Sequence, residues 1–144
     1  MSKLALRVVG LGVVIALLGV GSYAIAGSNT KNFSGIPLNG FEENPDVSTP
    51  ANGSFEARLS DDGTKLTYRL TYANIGGGRV LQAHIHFAKR AVNGNIVLWL
   101  CSNLNPPGNT PPGTQSCPTP SGTITGELDK DDVIAVPSQG IPEP

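Results

Sequence analysis

Apolar and polar residues alternate with a period of two over much of this chain, and that period predicts strands. Gly53 to Leu59 places Phe55, Ala57 and Leu59 on one face and Glu56 and Arg58 on the other. Lys65 to Tyr72 repeats the pattern with Leu66, Tyr68, Leu70 and Tyr72 inward. Ser60-Asp61-Asp62-Gly63 lies between them, so the two runs predict a hairpin closed by an Asp-Gly turn. A third strand is expected over roughly Arg79 to Ala88, after the break Gly76-Gly77-Gly78. Asn95 to Leu100 is apolar on both faces, which predicts a central, doubly covered strand. Ser121 to Leu128 is a weaker strand, Phe33 to Leu38 an edge strand, and Asp129 to Val133 a turn or short helical start. No segment carries a helical period of useful length. Several short strands separated by turns predict an all-β sandwich or barrel.

The first residues change the picture from a bare domain to an exported one. Lys3 and Arg7 precede an uncharged apolar run, Val8 to Val20, and Ala24-Ile25-Ala26 supplies small residues. This is the order of a secretory signal, expected over residues 1–26 and cleaved to leave a single domain over 27–144. The alternative is an uncleaved membrane anchor, since Val8 to Asn29 carries no charge and a span takes roughly 20 residues. Export implies a secreted or extracytoplasmic location, periplasmic or at the cell surface, with membrane contact only if the segment stays. In that oxidising setting Cys101 and Cys117, the two cysteines of the chain, are expected to pair. Six prolines between Ser102 and Pro120 make the intervening segment a surface loop.

Charge removes one class of partner. The formal net charge is −1, and losing Lys3 and Arg7 makes the mature chain more acidic. No Lys/Arg cluster is present to follow a phosphate backbone, so nucleic acid is not an expected partner.

Leu38-Asn39-Gly40, Glu43-Asn44-Pro45-Asp46-Val47 and Thr49-Pro50-Ala51-Asn52-Gly53 resemble the opening of the chordin-type (CHRD) domain. Leu59-Ser60-Asp61-Asp62-Gly63-Thr64-Lys65-Leu66-Thr67-Tyr68 is similar to it as well. So is Ala83-His84-Ile85-His86, followed by Asn93-Gly94 and Ile96 to Leu100. The resemblance implies an immunoglobulin-like, superoxide-dismutase-like Greek-key β-sandwich, here of about seven strands. It implies an extracellular setting and no defined reaction. Two departures stand out. Phe87 and Ala88 follow the His-x-His motif where family members often have Gly, and the family's last strand, with its further histidine, is replaced by Gln139 to Pro144. A missing last strand leaves a sheet edge open unless the N-terminal segment or a second subunit covers it, which makes self-assembly by strand exchange an expectation.

The candidate chemistry rests on His84 and His86, the two histidines of the chain. Strand periodicity places them on one face, with Leu81, Ala83, Ile85 and Phe87 on the other. A copper/zinc dismutase site needs about six histidines and an aspartate, so that reaction is excluded for one subunit. Two readings of the pair remain. In one, the imidazoles hydrogen-bond neighbouring backbone on a half-exposed face. In the other, they hold copper or zinc, with a carboxylate such as Glu42, Glu43 or Asp46 as third ligand by resemblance. No nucleophile elbow or phosphate-cradling loop occurs, and no catalytic residues are expected. The leading expectation is therefore a non-enzymatic, exported module that binds an unidentified protein or surface partner. The alternative is a small extracytoplasmic copper- or zinc-binding protein.

Overall fold

Six strands arranged as two antiparallel sheets form the domain in a computed structural model, which describes residues 31–89, 92–105 and 110–143. It also describes the backbone of two short strands, β1 (Leu4–Leu6) and β2 (Ile15–Leu17), which pair with each other. The leader and cleavage site expected within residues 1–26 otherwise lie outside the described residues. Among the described residues no helix is long and apolar enough to cross a membrane.

The larger sheet has the order β3 (Lys31–Asn39), β4 (Asn52–Leu59), β5 (Leu66–Ala73), β8 (Gly122–Leu128). The smaller pairs β6 (Gln82–Phe87) with β7 (Asn95–Ser102). β8 returns from the smaller sheet to lie beside β5, so β5, β6, β7 and β8 follow Greek-key order with the β5–β6 step crossing between sheets. The predicted hairpin is β4–β5, paired without a break from Asn52↔Ala73 to Leu59↔Leu66. Its turn is closed by Gly63 at φ 73°, a conformation that favours glycine. β3 is the expected edge strand and carries a register shift between Phe33 and Ile36.

The core lies between the sheets. Phe55, Leu70, Ile85, Leu100 and Cys101 are almost fully buried, and Tyr68, Tyr72, Ala83, Val97 and Ile124 join them. Two tyrosine hydroxyls bond across the structure. Tyr68 Oη donates to the Leu100 carbonyl (2.9 Å), joining the larger sheet to β7. Tyr72 Oη donates to the Pro118 carbonyl (2.5 Å), holding the proline-rich segment. That segment is pinned again by the Cys101–Cys117 disulfide. Asn103 spans the same join: its Nδ2 donates to the Val80 and Cys117 carbonyls and its Oδ1 accepts from the Cys117 amide.

Three expectations are corrected. β7 is not a central strand, because it pairs with β6 alone. Its apolar character on both faces has another cause. Register shifts opposite Ala83/His84 and Ile85/His86 break the period of two, and both Leu100 and Cys101 enter the core while Trp99 turns to the histidine side. Leu81 does not share the apolar face of Ala83 and Ile85; it precedes the strand and is half-exposed. The histidine face is not half-exposed but buried. Beyond β8, the Ile134 amide donates to the Val97 carbonyl (2.9 Å), so the C-terminal segment meets β7.

Candidate functional site

β6 and β7 position the histidine pair. His84 lies opposite Trp99 and His86 opposite Ile96 in the ladder, and both rings are buried, at 1% and 7% exposure. The two rings meet edge to face with centroids 4.7 Å apart, and the Trp99 ring lies edge-on to His84 at 5.2 Å. Their Nε2 atoms are 3.0 Å apart, and His86 Nδ1 is 2.5 Å from the Gly94 carbonyl oxygen.

That geometry sets the direction of the hydrogen bonds. A carbonyl only accepts, so His86 Nδ1 carries a proton and donates to Gly94. A neutral His86 then has a lone pair on Nε2, and His84 Nε2–H donates to it. His84 Nδ1 is left as a buried lone pair with no hydrogen-bond partner. Burial pushes the His84 imidazole down to about 3, and the neighbouring His86 adds to the effect. His84 is therefore neutral at physiological pH.

Gly94 is a part of this site that the sequence shows only as a residue of Asn93-Gly94, after the His-x-His motif. A Cβ built there would lie 2.0 Å from the Phe87 carbonyl oxygen and 2.7 Å from the Ala88 Cβ. The lack of a side chain thus lets the β6–β7 loop approach close enough to accept from His86. Trp99 is the second such part. The sequence shows it only within the apolar run Asn95 to Leu100, and the register shifts turn its ring onto His84.

Among the described residues no group of three or more His, Cys, Asp or Glu side chains comes together in a metal-binding cluster. Glu42, Glu43 and Asp46 are accordingly not gathered around the pair. Their loop does reach the neighbouring β6–β7 loop, where Asn93 Nδ2 donates to the Asn44 carbonyl (3.0 Å). Cys101 and Cys117 are joined to each other, as expected.

At the same end of the sandwich the turn after β3 presents Phe41 to solvent at 82% exposure. The turn is tightly set. Asn39 Oδ1 accepts from the Phe41 amide (3.0 Å), and the Val47 amide donates to the Gly40 carbonyl (2.8 Å). A Cβ on Gly40 would lie 1.9 Å from the Val47 carbonyl oxygen, so the chain passes where a side chain would be.

No curated protein and no solved structure matches this chain. The CHRD-domain sequence profile matches residues 35–133, which takes in the second half of β3, all of β4 to β8 and both histidines. Strand pattern, paired sheets and His-x-His strand agree with that match, and the chain belongs to the CHRD-domain family.

Proposed function

We propose that the protein is an exported, non-enzymatic binding or surface-assembly module that meets its partner through the turn carrying Phe41. The observation that carries this reading is a large aromatic side chain, 82% exposed, on a turn held by its own hydrogen bonds. A rigid aromatic loses little entropy on contact, which is why such residues dominate binding hot spots. Val47 and Val92, each about half-exposed, lie on the same turn and on the loop that Asn93 ties to it. The disulfide and the apolar N-terminal run support an extracytoplasmic location. A photoreactive phenylalanine analogue at position 41, with a control at the exposed Glu56 of β4, tests the reading in native envelopes. A discrete adduct is expected from position 41 and none from 56. An adduct of twice the chain mass would identify a second copy as the partner. No adduct at 41, or the same adducts from both positions, would end the proposal.

Copper or zinc binding at His84 and His86 is the second reading, and it is favoured by one observation. The two Nε2 atoms converge to 3.0 Å, close to the separation of two ligands at about 90° on one ion with bonds of about 2.0–2.1 Å, which suits square-planar copper better than tetrahedral zinc. The ion would replace the Nε2–H···Nε2 bond and draw further ligands from solvent. Trp99, the one tryptophan of the chain, touches His84 and reports the event. Cu(II) at pH 7 is expected to quench its fluorescence with a midpoint well under about 1 mM, and His84→Ala to abolish the quenching. A midpoint at or above that value would sink the metal reading and leave the binding-module reading untouched.

A further inference from the structure

The two sheets differ in width, and the mismatch leaves a cavity of about 540 Å³ at the end of the sandwich opposite Phe41. The register shows why it forms there. Phe33 pairs with Ala57, Leu59 with Leu66, and Leu66 with Leu128, so one end of the four-stranded sheet presents an apolar inner face that stops at Lys31, the partner of Leu59 on the edge strand. The two-stranded sheet lends only Leu98 to this end, and the C-terminal segment lends Val133. Phe33, Leu59, Leu66, Leu98, Leu128 and Val133 are each only partly buried, and all six line the same cavity. Large apolar side chains scattered singly over a surface are ordinary; six converging on one cavity are not.

The rim has a different chemistry. Lys31 pairs with Leu59 in the ladder, Lys65 directly precedes Leu66, and Lys130 follows Leu128 by two residues. Among the described residues all three line the cavity, against a single carboxylate, Asp129. Asp129 is already engaged, capping the turn at Lys130–Asp132 and accepting from the Asp131 amide (2.8 Å). Lys65 pairs with Glu127 (2.5 Å) and Lys130 with Asp131, in both cases with more than half of each side chain exposed. Exposed pairs of this kind are worth little and exchange readily for another anion. Lys31 forms no ion pair among the described residues.

We propose that this cavity binds a single-chain amphiphile with a carboxylate head, that is, a free fatty acid. The hydrocarbon chain lies against the leucines and Phe33, and the carboxylate stays at the mouth among Lys31, Lys65 and Lys130. The volume falls within the roughly 300–1,000 Å³ of small-ligand sites. A peptide suits the walls poorly, because its backbone N–H and C=O groups would be buried without partners. The inference is independent of the Phe41 reading, which concerns the other end of the molecule.

The test is a titration of the purified protein with cis-parinaric acid, which fluoresces in apolar surroundings. Saturable binding of one molecule per chain is expected. Lys31→Glu, an exposed change that leaves the core intact, should weaken it about tenfold, equivalent to 1.4 kcal/mol. Ala57→Phe should abolish it by filling the cavity, with a thermal melt to confirm folding. Hexadecanol should compete at least tenfold less well than palmitate against wild type, and equally well against Lys31→Glu. Absence of saturable binding, an unchanged affinity in Lys31→Glu, or equal competition by alcohol and acid would each overturn the proposal. So would flotation with anionic phospholipid vesicles that leaves bound parinarate undisplaced, because that result assigns the lysines to a membrane surface.

Discussion

Replacing both Cys101 and Cys117 with alanine is expected to lower the unfolding free energy by about 3 kcal/mol or more. The disulfide closes a loop with a sequence separation of 16, and the chain-entropy model assigns roughly 3 kcal/mol to a loop of that length. Both half-cystines are buried, at 0% and 4% exposure, so their loss also removes packing from the core. The bond joins β7 to the segment that leads into β8, and Asn103 and Tyr72 secure the same segment by hydrogen bonds. Those bonds hold the loop only while the sheets are folded, whereas the disulfide also restricts the unfolded chain. Equilibrium urea unfolding of the variant against wild type measures the difference. A fall of about 10 °C in melting temperature should accompany it in a domain of this size. Reduced wild type should match the variant. A loss below about 1 kcal/mol would show that the hydrogen bonds alone fix the loop.

The second large effect is acid lability through His84. Its folded-state pKa is depressed to about 3 by burial and by His86, while an unfolded histidine titrates near 6.5. Between these values the unfolded chain binds a proton that the folded protein refuses, so stability rises with pH across the window. It is fully present above about pH 6.5 and is lost progressively as the pH falls toward 3. At pH 4.5 the two pH units below 6.5 correspond to about 2–3 kcal/mol. His84→Gln keeps a donor toward His86 and removes the titration. The variant should therefore lose about 2–3 kcal/mol less than wild type between pH 7.5 and 4.5, read from urea unfolding at both pH values. Parallel losses in the two proteins would show that His84 is not the group responsible.

The sequence carries the fold further than it carries the site. The β4–β5 hairpin is legible because alternation on both sides of Asp62-Gly63 leaves one register that buries Phe55, Ala57, Tyr68 and Leu70 together. The disulfide is legible because two cysteines allow one pairing, and the apolar N-terminal run leads one to expect an oxidising setting. β7 is misread because a period of two assumes an unbroken ladder, and its register shifts turn Leu100 and Cys101 inward together. For His84 and His86, periodicity fixes the shared face but not what lies over it. Burial and the directed bonds through Gly94 depend on the approach of a loop, and loop approach leaves no period in a sequence. The cavity is hidden for a similar reason. Leu59 and Leu66 read as ordinary core positions, and the unequal width of the two sheets leaves them partly uncovered.

The return of β8 to lie beside β5 governs the order in which the domain can assemble. β3, β4 and β5 follow one another as a meander, and β6 and β7 form their own hairpin, so both units close over short stretches of chain. The β5–β8 ladder, from Leu66↔Leu128 to Tyr72↔Gly122, must instead span the whole smaller sheet and the proline-rich loop. Its closure entropy makes it the slow, non-local step and the natural last event of folding. Until it forms, β5 has an unpaired edge of seven residues, a template on which another chain could add a strand.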